Sequence, residues 1–194
     1  KGNTAEAEKI CDAVLLREPE NIDALRVLSM AAVVDERFVI AEAFLNRIVR
    51  LAPDDIGGIF ELARFLGDRG RFAEAVRRLQ PALDKEPDNP DLQLLLAGML
   101  SALGDTEGLV RSLQGAEDQA IASLTSAETA SQQETAIQYV QLVTLAYVQG
   151  EAFEAAAAFS NRLADAIGDD RARRTADEFR QDAAALNQPT PTEG

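Results

Sequence analysis

The residues able to do chemistry are few, and their spacing points away from catalysis. The 194-residue chain contains no histidine. That removes imidazole acid–base work, Ser–His and Cys–His nucleophiles, and His-containing metal sites. The single thiol, Cys11, falls on an apolar stripe with Ala7, Ile10, Val14 and Leu15, so it reads as a small buried hydrophobe rather than a nucleophile. Gly104-Asp105-Thr106-Glu107-Gly108 has neither the spacing nor the lysine of a phosphate-binding loop. The acidic pairs Asp54-Asp55 and Asp169-Asp170 fall in expected loops without the spacing of a calcium loop. Arg69, Arg71, Arg77 and Arg78 make a local basic patch, read as a charge-balanced outer face, with a partner site as the competing account. No catalytic, cofactor-binding or metal residue is assigned, no cofactor is expected, and the chain reads as a non-enzyme.

Charge narrows the partners. Acidic side chains outnumber basic ones 33 to 19, a net charge of −14. Residues 91–194 carry 16 acidic and 6 basic groups, so most of the excess lies there. Such a field repels phosphate backbones and anionic membranes. The expected partner is therefore a protein or peptide, not nucleic acid. No apolar run approaches the roughly 20 residues that cross a bilayer, so no direct membrane insertion is expected. The expected location is the cytoplasm; the periplasm stays open because Lys1 falls inside a repeat, with no initiator Met. Abundant Ala and Arg beside three lysines associate the composition with a GC-rich bacterial source.

What could position any site is a repeat. Leu25, Leu28 and Ala32 return 34 residues later as Ile59, Leu62 and Leu66. Phe38, Ala41, Leu45 and Pro53 return as Phe72, Ala75, Leu79 and Pro87, and the beat reaches back to Ala7, Cys11 and Pro19. A 34-residue period with apolar residues at three- and four-residue steps predicts stacked helical hairpins. Residues 2–21 read as the second helix of a truncated repeat, 22–55 and 56–89 as full repeats. Residues 90–133 read as a divergent, lengthened repeat, 134–168 as another divergent repeat, 171–186 as a charged capping helix, and 188–194 as a disordered tail. The whole of 1–187 reads as one all-α array of four to five hairpins.

Three departures from the beat stand out. Glu36 occupies a turn position where Gly70 and Gly104 stand later. Gly57-Gly58 sits in a first helical turn and reads as a frayed start, close backbone approach being the rival. Gly150 is read as the next turn glycine, 46 residues after Gly104, an excess of twelve. Three extra helical turns are preferred over a long loop, because structureless loops of that length are uncommon in compact domains.

These residues resemble the tetratricopeptide repeat (TPR) family. Its first-helix slots are matched by Leu25, Leu28, Ser29 and Ala32, by Ile59, Leu62, Ala63 and Leu66, and by Gln93, Leu96, Ala97 and Leu100. Its second-helix slots are matched by Ala7, Cys11 and Pro19, by Ala41, Leu45 and Pro53, and by Ala75, Leu79 and Pro87. The family's Trp and Tyr are replaced by aliphatics. The resemblance implies a helix–turn–helix solenoid, a TPR superhelix, whose first helices line a concave groove.

Side chains on those helices outside the packing slots are the groove candidates: Asp23, Arg26, Met30, Val33, Phe60, Arg64, Asp91, Leu94, Ser101, Val140, Thr144 and Tyr147. They are largely apolar, with Arg26 and Arg64 as cations. The basic set with which some family members hold a C-terminal carboxylate is not reproduced. The expected function is a non-catalytic scaffold holding an extended or helical peptide by apolar anchors, at about micromolar affinity, roughly −8 kcal/mol. Two alternatives stand beside it. One is a regulatory or substrate-positioning arm of a larger bacterial enzyme, such as a sulfotransferase or glycosyltransferase. The other is a homo-oligomeric assembly module.

Overall fold

Helix follows helix along the whole of the computed structural model, which describes residues 2–87 and 89–186. In chain order the helices are α1 (Gly2–Leu15), α2 (Ile22–Val34), α3 (Phe38–Leu51), α4 (Ile56–Asp68) and α5 (Phe72–Lys85). They continue as α6 (Pro90–Leu103), α7 (Thr106–Thr125), α8 (Ala130–Gln149), α9 (Phe153–Ile167) and α10 (Asp170–Leu186). The expected tail, 188–194, lies outside the described residues. The chain divides into two compact units, one ending at Asp84 and one starting at Lys85.

In the first unit α1 packs on α2, α2 on α3 and α3 on α4. The core is made by the recurring slots: Leu25, Leu28 and Ala32, then Ala41 and Leu45, then Ile59, Leu62, Ala63 and Leu66, then Ala75 and Leu79, all buried. Small residues let the helices close and large ones fill beside them. Cys11 is buried against Ala24 and Leu28, and burial pushes its thiol above the ordinary value. Asn21, Asp55, Asn89, Asp105 and Thr129 each cap a helix start by accepting a backbone N–H.

Turns between paired helices repeat one geometry. The N–H groups of Glu36, Gly70, Gly104 and Glu151 reach the carbonyl three residues back. Each following N–H reaches five back, at Ala32, Leu66, Leu100 and Tyr147. This double closure needs a left-handed residue. The four have φ of 58°, 74°, 73° and 53°. Glu36 thus adopts the left-handed backbone its turn demands. The fourth turn corrects the sequence reading: Gly150 is the cap at φ −88°, and Glu151 bears the left-handed conformation. The spacing from Gly104 is therefore 47, thirteen beyond the period.

That excess is helix. Both α7 and α8 run 20 residues, against 14 for α5 and α6, and the connection between them, 126–129, is closed by a Thr129–Gln132 capping box. Gly150 has a packing role instead. A Cβ there would lie 2.4 Å from Leu109 Cδ1. Leu109 stands where Ala41 and Ala75 stand in earlier repeats, so the small residue has moved to its neighbour. In the second unit α6 packs on α7 and α8, α9 on α7 and α8, and α10 on α9.

Gly57-Gly58 is also corrected. Helix α4 begins cleanly at Ile56, and Gly58 is buried. A Cβ at Gly58 would lie 2.9 Å from Ile48 Cγ2 and 3.1 Å from Asp55 Oδ2. Close approach of α3, not fraying, explains that glycine.

Candidate functional site

Two faces carry side chains not used by the cores, one in each unit. In the first unit the face belongs to α2 and α4. The Arg26 Nε donates to Glu61 at 2.9 Å and Nη2 to Asp55 at 3.0 Å, with Asp23 at 4.0 Å. These bonds hold the guanidinium's pKa above its ordinary value. Arg26, expected as a groove cation, is also a strut from α2 to α4. One turn further along each helix stand Met30 and Arg64. Met30 is 63% exposed and Val33 and Val27 are 40% exposed. Arg64 is exposed and makes no ion pair among the described residues. Asp23 is exposed and Phe60 half-buried.

Three of the four arginines of the basic patch are engaged, and Arg77 makes no ion pair among the described residues. Arg71 donates to Glu42 and Glu74, both at 2.7 Å, and Arg78 lies 3.8 Å from Glu74. The Arg69 guanidinium sits 4.0 Å from the Phe38 ring centroid, a cation–π contact. Arg37 binds Glu8, the same pairing one period before Arg71 and Glu42. Arg37, Arg69 and Arg71 thus reach across to another helix, whereas Arg78 pairs within α5.

In the second unit several expected groove residues are otherwise engaged. Tyr147 is fully buried. Its hydroxyl donates to Glu117, and its ring lies 6.4 Å from Phe159. Arg162 binds both Glu117 and Asp118. Burial nevertheless leaves the Glu117 carboxyl above its ordinary pKa, outweighing the Tyr147 and Arg162 donors. Tyr147 is therefore core and not groove. Ser101 donates to the Gln149 carbonyl at 3.0 Å, and Thr144 to the Val140 carbonyl at 2.9 Å, so both hydroxyls serve the fold. Asp91 is exposed, while Leu94 and Val140 are half-buried.

What sequence reasoning missed is a pocket of about 560 Å³ in this unit. The first turn of α6, the last turns of α7, the connection after it and α8 as far as Leu142 line this open pocket, with Asp91, Gln119, Ser123, Thr135, Tyr139 and Leu142 among its walls. Of these only Asp91 was a candidate. The available signal was the period excess, because the added turns of α7 and α8 are what build the walls.

Two tetratricopeptide repeat models match the sequence, one over residues 1–56 and one over 68–108. The chain belongs to the tetratricopeptide repeat family. Solved TPR structures share the fold at low identity. MamA from Desulfovibrio magneticus RS-1, residues 41 to the end, is 14% identical with a TM-score of 0.59, covering 95% of this chain and 86% of that one. A second MamA structure is 18% identical, TM-score 0.57, over 95% and 93%. YrrB, described as a TPR protein with an unusual peptide-binding site, is 15% identical, TM-score 0.55, over 91% and 84%. No curated protein sequence matches the chain. As a TPR protein it is a protein–protein interaction scaffold, and the fold is generally a non-catalytic one. No helix among the described residues is long and apolar enough to cross a membrane.

Proposed function

We propose that the chain holds a peptide or protein segment on the first-helix side of its repeats, with Met30, Val33, Phe60 and Arg64 as the principal contacts in the first unit. The observation that carries this is the contrast around Arg64. Arg26, Arg37 and Arg71 in the same unit are tied to carboxylates, whereas Arg64 is exposed without an ion pair among the described residues, one period after an exposed Met30 that the core does not need. An adaptable thioether with an unpaired guanidinium suits a segment bearing an apolar anchor and an acidic group. Asp91, Leu94 and Val140 are the corresponding contacts on the second unit's first helices.

The test is capture of the natural partner by the full chain and two variants. Arg64→Glu and Met30→Asp change exposed side chains, so helical circular dichroism and the unfolding midpoint should stay as in the parent. Partner binding should fall at least tenfold in each. Unchanged binding in both variants moves the site off this face.

A further inference from the structure

The pocket in the second unit has a chemistry of its own. Its walls carry hydroxyls and carboxamides, apolar groups at Pro90, Ala127, Ala136 and Leu142, and no basic side chain. Its one carboxylate, Asp91, is exposed at the start of α6 and makes no ion pair among the described residues. The Tyr139 hydroxyl is shut from solvent and has no hydrogen-bond partner among the described residues. Burial and then the charge of Asp91 push this phenol up to about 12, so the carboxylate's field reaches the wall. The unit as a whole is acidic, with 18 acidic against 7 basic residues from Lys85 onward.

A buried polar atom without a partner is costly, about 1–3 kcal/mol, and few occupants would relieve it here. An anion would meet Asp91 and an acidic surround. A purely apolar group would strand both the carboxylate and the hydroxyl. A cation on an aliphatic stem satisfies all of it: its donors meet carboxylate, phenol oxygen and amide oxygens, and its stem lies along Leu142 and Ala136. The volume is that of an ordinary ligand site and leaves room for flanking peptide backbone beside the hydroxyls.

We infer that this pocket, raised by the overhanging ends of α7 and α8 beside the start of α6, takes an arginine or lysine side chain of a bound protein segment, with Asp91 holding its charge and Tyr139, after a small turn of its side chain, accepting one of its hydrogen bonds. This rests on the reading of the chain as a binder of protein segments and shares Asp91 with it, but its other residues are distinct from that reading's principal contacts, Met30 and Arg64.

The experiment titrates the isotope-labelled full chain with acetyl-Gly-Ala-Arg-Ala-Gly-amide and follows amide and tyrosine-ring NMR shifts. Matched peptides carry citrulline, which keeps the shape without the charge, or glutamate. The arginine peptide should shift Ser123, Thr135 and Tyr139 and bind at least tenfold more tightly than either control. Asp91→Asn should remove that preference. Tyr139→Phe should weaken the arginine peptide about threefold while folding at least as stably, since the hydroxyl it deletes has no partner. Met30→Asp and Arg64→Glu should leave this binding untouched, so loss of the first-unit site would not be mistaken for loss of this one. Equal binding of the arginine and citrulline peptides, unaltered preference in Asp91→Asn, or no shift of pocket residues at millimolar peptide each overturns the assignment.

Discussion

The two units solve the same packing problem with different materials. In the first, each repeat reproduces its predecessor down to its ion pairs: Arg37 with Glu8, then Arg71 with Glu42, each pair one period apart. The series ends there: one period on, position 105 is Asp and position 76 is Val, so no third pair of this kind follows. The second unit instead has a buried Tyr147–Glu117 hydrogen bond, whose carboxylate also binds the exposed Arg162, and helices six residues longer. Regular charge pairing on an exposed face constrains a repeat weakly, because such pairs are screened and entropically costly. Polar groups within a core constrain it strongly, because each one left without a partner is costly. The lengthened hairpin is thus free to vary in length while its packing register is held from inside.

The largest expected effect tests whether Gly150 and Leu109 are one unit of that register. Gly150→Ala places a Cβ 2.4 Å from the Leu109 side chain, and overpacking of this kind costs about 1–3 kcal/mol. In a Leu109→Ala background, which restores the small residue found at Ala41 and Ala75, the same change should cost close to nothing. Urea unfolding of the four chains of this double-mutant cycle measures the coupling. Additive costs would show that the glycine answers to something other than Leu109.

The next effect concerns pH. Burial raises the folded-state pKa of Glu117 above 4.5, so the folded chain binds this proton more tightly than the unfolded chain does. Its contribution to stability is complete below the ordinary carboxylate value and declines as pH rises through the raised one. Glu117→Gln keeps an oxygen that can accept from Tyr147 and removes the titration. The stability difference, variant minus parent, should therefore rise as pH increases from 4.5 toward neutrality. A difference that is flat or falls over that range would mean the Arg162 and Tyr147 bonds outweigh burial.

How much of this was legible follows the same division. The first unit's slots were readable because packing there depends on residues 34 apart, and the period is printed in Leu25 and Ile59 or Ala41 and Ala75. The pairing of Arg26 was not legible because its bonds to Asp55 and Glu61 arise only when α2 and α4 stack. Tyr147 was misplaced for a related reason. It was assigned by extending the regular pattern into a repeat where the turn had shifted by one residue, and a helical position one step over faces a different neighbour. The pocket left no motif at all. About half of its walls are ordinary Ser, Thr and Gln residues, and only the surplus of helix between Gly104 and Glu151 hinted at it.

The smallest effect bears on that shifted turn. If Glu36, Gly70, Gly104 and Glu151 are equivalent, all four should respond to substitution by one rule. A left-handed backbone costs a residue with a Cβ about 1–2 kcal/mol, partly offset by the greater freedom that glycine gives the unfolded chain. Glu36→Gly and Glu151→Gly should each stabilise the chain by about 0.5–1 kcal/mol, and Gly70→Ala and Gly104→Ala should destabilise it by a similar amount. No atom lies within 4 Å of a Cβ built at Gly70 or Gly104, so those two changes test the backbone alone. Thermal unfolding of the four variants gives the ranking. Stabilisation at Glu36 without stabilisation at Glu151 would break the equivalence and return the turn to Gly150. The same sign at both would fix the hairpin's excess at thirteen residues and, with it, the register in which the walls of the pocket are built.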